Sequence, residues 1–289
     1  MIRNSATILV RHRNVFTGSQ PLNHLYPRGA LVGHSISTVT TEGAPLERLP
    51  ARLEELAPSI AESLVDKGYY TTVPLLDQSV MGTLRAQAIA LRQEGRYEQS
   101  WSERIQEHDG QVIRFDKPGV FACEPDGADY ETAPDLVTYM SHLITTLPPA
   151  LNQHLPENVA RISNQAFNAK LAYTESHSEY PLHVDNSLGL NGGDTRKLTC
   201  ILYLNPEYDR GVHKGELRVH LLNDEFVDLE PSVRFVCFWT DEIPHKVLMT
   251  GDSHGMDRYA LTIWLADEEP QHIHNSSSKF AELRLHAFD

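Results

Sequence analysis

The stretch Tyr180-Pro-Leu-His183-Val-Asp185-Asn186 places a histidine and a carboxylate one residue apart in a run that reads as a β-strand. Side chains on a strand alternate between faces, so His183 and Asp185 point the same way. A further histidine, His245 in Ile243-Pro244-His245, follows 60 residues after Asp185. Between them lie continuous apolar strands and their turns. If the three side chains share one ligand, the ends of strands distant in sequence must converge, which suits a closed barrel with a dry interior.

Two histidines and a carboxylate form the facial ligand set of non-haem Fe(II) oxygenases, which leaves three positions open. Zinc accepts the same donors with a water in the fourth place. A zinc hydrolase of that type usually carries HExxH on a helix, and this chain has no such motif. Arg258 lies 13 residues after His245, at the start of the strand Tyr259–Leu265. Its guanidinium can fork onto the far carboxylate of a diacid such as 2-oxoglutarate. Thr262, two strand periods further on, shares the Arg258 face and can add a second bond. Tyr203 and Tyr173 are phenols in otherwise apolar strands. A buried phenol needs a partner, which a cosubstrate carboxylate would supply; ordinary core tyrosine is the alternative.

The rest of the chain frames this cluster. Leu53, Leu56, Ile60 and Leu64 recur at helical spacing up to Lys67-Gly68, with Pro58 expected to kink or restart the helix. Tyr69 to Leu76 reads as a strand. Asp77 is a candidate N-cap for a helix over about 78–94 with Met81, Leu84, Ala88 and Leu91 inward. The stretch 97–129 reads as a long loop holding a strand or two, with Trp101 and Phe115 buried. Pro134 opens another helix that Pro148-Pro149 should end. Strands then follow at Val159–Ser163 and Ala166–Thr174, with Asn164-Gln165 as a hairpin turn, and at Lys197–Leu204, Glu216–Leu222, Arg234–Trp239, His245–Met249 and Tyr259–Leu265. Helices first and short strands later make an α+β chain, a jelly roll (double-stranded β-helix) with N-terminal helices packed on one face. Residues 51–270 are the expected catalytic domain, with its core at 165–268, and 271–289 a tail.

Composition removes several function classes. The 289 residues carry 25 basic and 39 acidic side chains, a formal charge of −14. Such a chain repels phosphate backbones, so nucleic acid is not an expected partner. No apolar run reaches the roughly 18 residues of a membrane span. Cys123, Cys200 and Cys237 form no CxxC and fit a reducing compartment; the last two sit in apolar runs and read as core. The first 50 residues differ from the rest, because Arg3, Arg11, Arg13 and Arg28 precede the first acidic residue, Glu42. They read as a transit segment or as a disordered leader. Cytoplasm or nucleus is the expected location, or a mitochondrion or plastid if that segment is an address. A monomer is the default.

Five stretches carry a family resemblance. They are Tyr180–Asn186, Lys197–Asn205, Gly215-Glu-Leu-Arg-Val219, Phe238-Trp239 with Pro244-His245-Lys-Val247, and Arg258-Tyr-Ala-Leu-Thr-Ile-Trp264. Together they resemble the prolyl hydroxylases that sense oxygen through hypoxia-inducible factor, over roughly Leu56 to Pro270. The resemblance implies Fe(II) at His183, Asp185 and His245, with no other catalytic residue. It implies 2-oxoglutarate held at its 5-carboxylate by Arg258 and Tyr203, with Tyr173 lining that pocket. Tyr180, Leu217 and Trp264 would wall the substrate entry, and the loop around Gln111–Cys123 would fold over the substrate proline. O₂ is the second cosubstrate, ascorbate the reductant, and the partner a protein bearing a target proline. The loop at 111–123 and the longer gap between His245 and Arg258 depart from the animal pattern, and no zinc module is present. A different protein substrate is therefore open. So are a 2-oxoglutarate oxygenase acting on a small molecule or another residue type, and an idle jelly-roll binding protein.

Overall fold

The computed structural model describes residues 43–105, 112–252 and 255–287. The expectation for a leader or transit segment falls largely on residues 1–42, outside the described residues. Residues 43–50 already belong to the domain: Leu46 and Leu49 are buried, and Ala44 bridges to Leu76.

Three helices take the apolar faces that the spacing predicts. Helix α1 (Leu49–Lys67) buries Leu53, Leu56, Ile60 and Leu64 and stops at Gly68, whose φ of 80° closes the end in the left-handed region. It runs unbroken through Pro58, where a kink was expected. Pro58 is exposed, so water can satisfy the carbonyl one turn earlier that loses its N–H partner. Helix α2 (Gln78–Gln93) buries Met81, Leu84, Ala88 and Leu91; Asp77 occupies the N-cap position without a side-chain capping bond. Helix α3 (Pro134–Leu151) also outlasts its expected end. Pro148 and Pro149 sit in its last turn, and the Asn152 N–H closes that turn on the Pro148 carbonyl at 2.9 Å.

Eleven strands follow the helices or lie between them. They are β1 (Tyr69–Thr72), β2 (Glu98–Ile105), β3 (Val112–Cys123), β4 (Ile162–Thr174), β5 (Tyr180–His183), β6 (Arg196–Tyr203), β7 (Leu217–His220), β8 (Phe226–Leu229), β9 (Phe235–Trp239), β10 (His245–Val247) and β11 (Arg258–Asp267). The major sheet has the order β1-β9-β6-β11-β4-β3-β2 and the minor sheet β5-β10-β7-β8, all the pairings being antiparallel. This is the jelly-roll fold, with the helices on the outer face of the major sheet.

Three expectations give way here. Asn164-Gln165 is not a hairpin turn: β4 runs straight through it, and the Ser163 hydroxyl accepts from the N–H groups of Gln165 and Ala166. The stretch read as a long loop is largely the hairpin β2–β3. Trp101 is 44% exposed rather than buried, with Arg114 over its ring, and the Phe115 side chain lies outside the described residues.

The C-terminal residues are tied to the sheet. Lys197 is buried and donates to both Asp241 oxygens at 3.0 and 3.1 Å and to the His272 carbonyl at 3.1 Å. Phe280 and Leu283 insert into the core. Beside this knot, burial pushes the Glu242 carboxyl up to about 7; Lys197 opposes the shift and Asp241 adds to it. A raised carboxyl contributes stability that is complete below its ordinary 4.5 and is lost as pH rises through 7. Glu242→Gln keeps the side chain neutral. Its urea midpoint should therefore fall less than that of the unmodified protein between about pH 5 and pH 7.5.

Candidate metal centre

Strand β5 ends at His183, and Asp185 follows in the turn just beyond it. Strand β10 pairs with β5 so that His245 stands opposite His183. This register brings the ends of two distant segments together. One ligand atom from each of His183, Asp185 and His245 lies within 4.8 Å of the others. The imidazole rings are 4.3 Å apart, centroid to centroid.

The donor atoms are oriented for a metal. His183 Nδ1 lies 2.9 Å from the Pro181 carbonyl, and His245 Nδ1 lies 3.1 Å from the Ile243 carbonyl. A carbonyl accepts, so each Nδ1 carries the proton and each Nε2 presents a lone pair. Both Nε2 atoms face Asp185 Oδ1, at 3.3 and 3.8 Å. The other oxygen, Oδ2, is occupied: it accepts from Thr199 Oγ1 at 3.0 Å and from Trp264 Nε1 at 2.9 Å. Burial works to raise the Asp185 carboxyl, but His245, His183 and Arg196 outweigh it and hold it well below the usual range. Burial pulls the His245 imidazole down to about 4, assisted by His183, so it is neutral at pH 7. Two imidazoles and one carboxylate, each oriented by a further hydrogen bond, fit a divalent iron held on one face.

The second cluster sits on the inner face of the major sheet. On β11, Arg258, Thr262 and Trp264 share that face by alternation. Arg258 Nε donates to the Gly215 carbonyl at 3.0 Å and Nη2 to the Tyr203 hydroxyl at 3.2 Å. Tyr203 is buried and keeps its own proton to donate. The structure therefore brings Arg258 and Tyr203 together, with Thr262 two strand periods further along β11.

Tyr173 is not brought to that group. It stands opposite Tyr259 in the β4–β11 ladder, on the outer face, while Arg258 stands opposite Thr174. There Arg92 of α2 lies 3.8 Å over its ring and Phe121 stacks at 4.9 Å. Spacing alone put Tyr173 among the apolar positions, but the register turns it towards the helices. Of the expected substrate wall, Tyr180 packs its ring 4.1 Å from that of His183. Leu217 is buried on the His245 face of β7, opposite Val247. Trp264 does more than line a wall, because its indole holds Asp185.

Sequence reasoning missed three contributors. Thr199 supplies the other bond to Asp185. Phe238 sets its ring 4.6 Å from that of His245. Tyr208 lines the cleft beside Arg258, and its buried hydroxyl has no partner among the described residues. Of these, only Thr199 and Phe238 had a signal, since each lies in an apolar strand on the same alternation as a ligand's neighbour.

Residues 169–266 match the family described as the 2OG-Fe(II) oxygenase superfamily. Proteins to which the chain is similar include prolyl hydroxylases. The chain is 39% identical over 100 residues to mouse prolyl hydroxylase EGLN3, covering 34% of this chain and 38% of that one. It is 32% identical over 138 residues to the human EGLN3, covering 47% and 54%. The match thus spans about half or less of these relatives' length. Among solved structures, a Trichoplax adhaerens prolyl hydroxylase in complex with a hypoxia-inducible-factor peptide superposes with a TM-score of 0.60 at 23% identity, over 76% of this chain and 93% of that one. A prolyl 4-hydroxylase of Phytophthora capsici gives 0.57 at 25% identity, over 82% and 69%. The chemistry in that family's description is 2-oxoglutarate with Fe(II). No helix among the described residues is long and apolar enough to cross a membrane.

Thr199→Val and Trp264→Phe each remove one donor from Asp185. Each should weaken Fe(II) binding about 10- to 100-fold, read by anaerobic metal titration, with an unchanged circular dichroism spectrum.

Proposed function

We propose that this chain is an Fe(II)- and 2-oxoglutarate-dependent dioxygenase that hydroxylates a prolyl residue of a protein substrate, of the peptidyl-proline 4-dioxygenase type. The observation that carries the reading is the joint arrangement: two Nε2 atoms turned onto one oxygen of Asp185, with the Arg258–Tyr203 pair on the interior face of the neighbouring sheet. The similarity to prolyl hydroxylases supports the choice of residue type.

The geometry supports these roles. His183, Asp185 and His245 hold Fe(II). Arg258 receives the 5-carboxylate of 2-oxoglutarate on its guanidinium edge, and Tyr203 donates to the same carboxylate. Thr262 adds a hydroxyl on that face, and the unpartnered Tyr208 hydroxyl is a further donor at the far end of the pocket. When bound, iron and its cosubstrates supply the oxidative decarboxylation to succinate and CO₂ that drives oxygen into a C–H bond. Tyr180, Trp264 and Leu217 shape the approach to the metal and exclude water from it. Tyr173 has no part in this scheme. Ascorbate serves as the reductant that returns oxidised iron to Fe(II). An oxygen-sensing role belongs to the same reading.

Anaerobic titration of the protein with Fe(II) and 2-oxoglutarate should produce the weak visible charge-transfer band of the chelate. Admitting O₂ with proline-containing peptides should then yield succinate. Absence of the band in folded, iron-loaded protein would overturn the reading in favour of an idle scaffold. Arg258→Ala loses a charged hydrogen-bonding partner worth about 2–5 kcal/mol, so its 2-oxoglutarate affinity should fall roughly 30-fold or more.

A further inference from the structure

Two lysines face the metal centre, and the oxygenase reading gives them no role. Lys170 lies on the inner face of β4, directly opposite Thr262 and four residues along the strand from Thr174, the partner of Arg258. Its Nζ donates to the buried Ser100 hydroxyl at 3.0 Å. Lys117 comes from β3, where the ladder with β2 is interrupted between Gln99 and Trp101. The interruption is held in shape. The Gln99 amide donates to the carbonyls of Lys117 and Val120, and the Gly119 carbonyl accepts from the Glu175 N–H at 2.8 Å. Gly119 has φ +69°, and a Cβ there would meet Ser178 Oγ at 2.0 Å, so the bulge closes tightly on that loop. This fixed backbone sends Lys117 Nζ to 3.9 Å from the centre of the Tyr180 ring, which also packs on His183.

The electrostatics of the pair are unfavourable as they stand. Burial lowers both ammonium groups to about 8, and for Lys170 the Lys117 charge adds to the effect. Among the described residues no carboxylate forms an ion pair with either. The one carboxylate that favours both charges is Asp185, with Glu124 also acting on Lys170. Asp185 is the proposed iron ligand, and its charge would be committed to the metal. Two desolvated like charges without a counter-ion are costly, and an arriving anion removes that cost.

We propose that Lys117 and Lys170 form a carboxylate-binding subsite, separate from the Arg258 cradle, that receives an acidic side chain of the substrate polypeptide flanking the target proline. The inference rests on the oxygenase reading. The cosubstrate is the less fitting occupant, since Arg258 and the metal centre would already take its two carboxylates.

The test uses the full chain, loaded with Fe(II) and 2-oxoglutarate, and a peptide library with one central proline and randomised flanks. Hydroxylated members, read by mass spectrometry, should be enriched about tenfold or more in Asp and Glu over Asn and Gln at one flanking position. Lys117→Met and Lys170→Met should each abolish that preference. A labelled acidic peptide from the enriched set should bind the anaerobic protein about tenfold more weakly in either variant, read by fluorescence anisotropy. Hydroxylation without acidic enrichment, or no hydroxylated member while the charge-transfer band forms, overturns the subsite. A variant that lowers 2-oxoglutarate affinity and leaves peptide preference unchanged also overturns it, and assigns the lysines to the cosubstrate. Loss of the band in the unmodified protein instead overturns the oxygenase reading itself.

Discussion

Strand β11 is hydrogen-bonded on both edges, to β4 and to β6, and its alternation decides what every neighbouring side chain can do. Arg258, Ala260, Thr262 and Trp264 face the interior, while Tyr259, Leu261, Ile263 and Leu265 face the helices. The same division passes across each ladder. It puts Tyr203, Ile201 and Thr199 inside on β6, and Lys170 and Thr174 inside on β4. Arg92 of α2 over Tyr173, and the Trp239 indole donating to the Leu64 carbonyl of α1 at 3.0 Å, mark the outer face. A shift of one residue along either ladder would exchange the two sets and dissolve the site.

The metal centre depends on this division in a second way. Asp185 belongs to no strand, so nothing in its own backbone fixes its carboxylate. Thr199 from β6 and Trp264 from β11 hold one oxygen and leave the other facing the two imidazoles. Arg196 donates to the Asp185 carbonyl at 3.0 Å and Asn186 donates to the carbonyls of Asp194 and Arg196, so the turn carrying the ligand is fastened at its backbone as well. The major sheet thus orients a ligand that the minor sheet delivers.

Charge is distributed along the interior with the same economy. Arg258 is held by a carbonyl and a phenol, neither of which neutralises it, so it retains full attraction for a carboxylate. Lys117, over the Tyr180 ring, and Lys170, bonded to Ser100, likewise have no ion-pair partner among the described residues. Among the described residues, Arg258, Lys117 and Lys170 lack an ion-pair partner, which is the charge arrangement that the proposed anionic cosubstrate and acidic substrate group would complement.

Much of this was legible in the chain itself. His183, Asp185 and His245 as candidate ligands, and an arginine opening a strong strand, follow from ligand chemistry and local pattern, although Asp185 lies in the turn beyond β5 and not on the strand face that alternation predicts. The helix faces of α1, α2 and α3 were equally clear from apolar spacing. Other features were not local. Pro58 and Pro148 do not break their helices, because solvent exposure in one case and a terminal position in the other remove the penalty. Asn164-Gln165 reads as a turn but lies inside β4, where pairing with β11 and the Ser163 hydroxyl satisfy the backbone. The face taken by Tyr173, the grip of Thr199 and Trp264 on Asp185, and the meeting of Lys117 with Tyr180 all follow from cross-strand register. Register is a property of two segments at once, set by which hydrophobic faces pack together, and a single segment's pattern carries no record of it. The sequence by itself determined which residues could bind a metal and a diacid. The tertiary structure decided which of them share an interior.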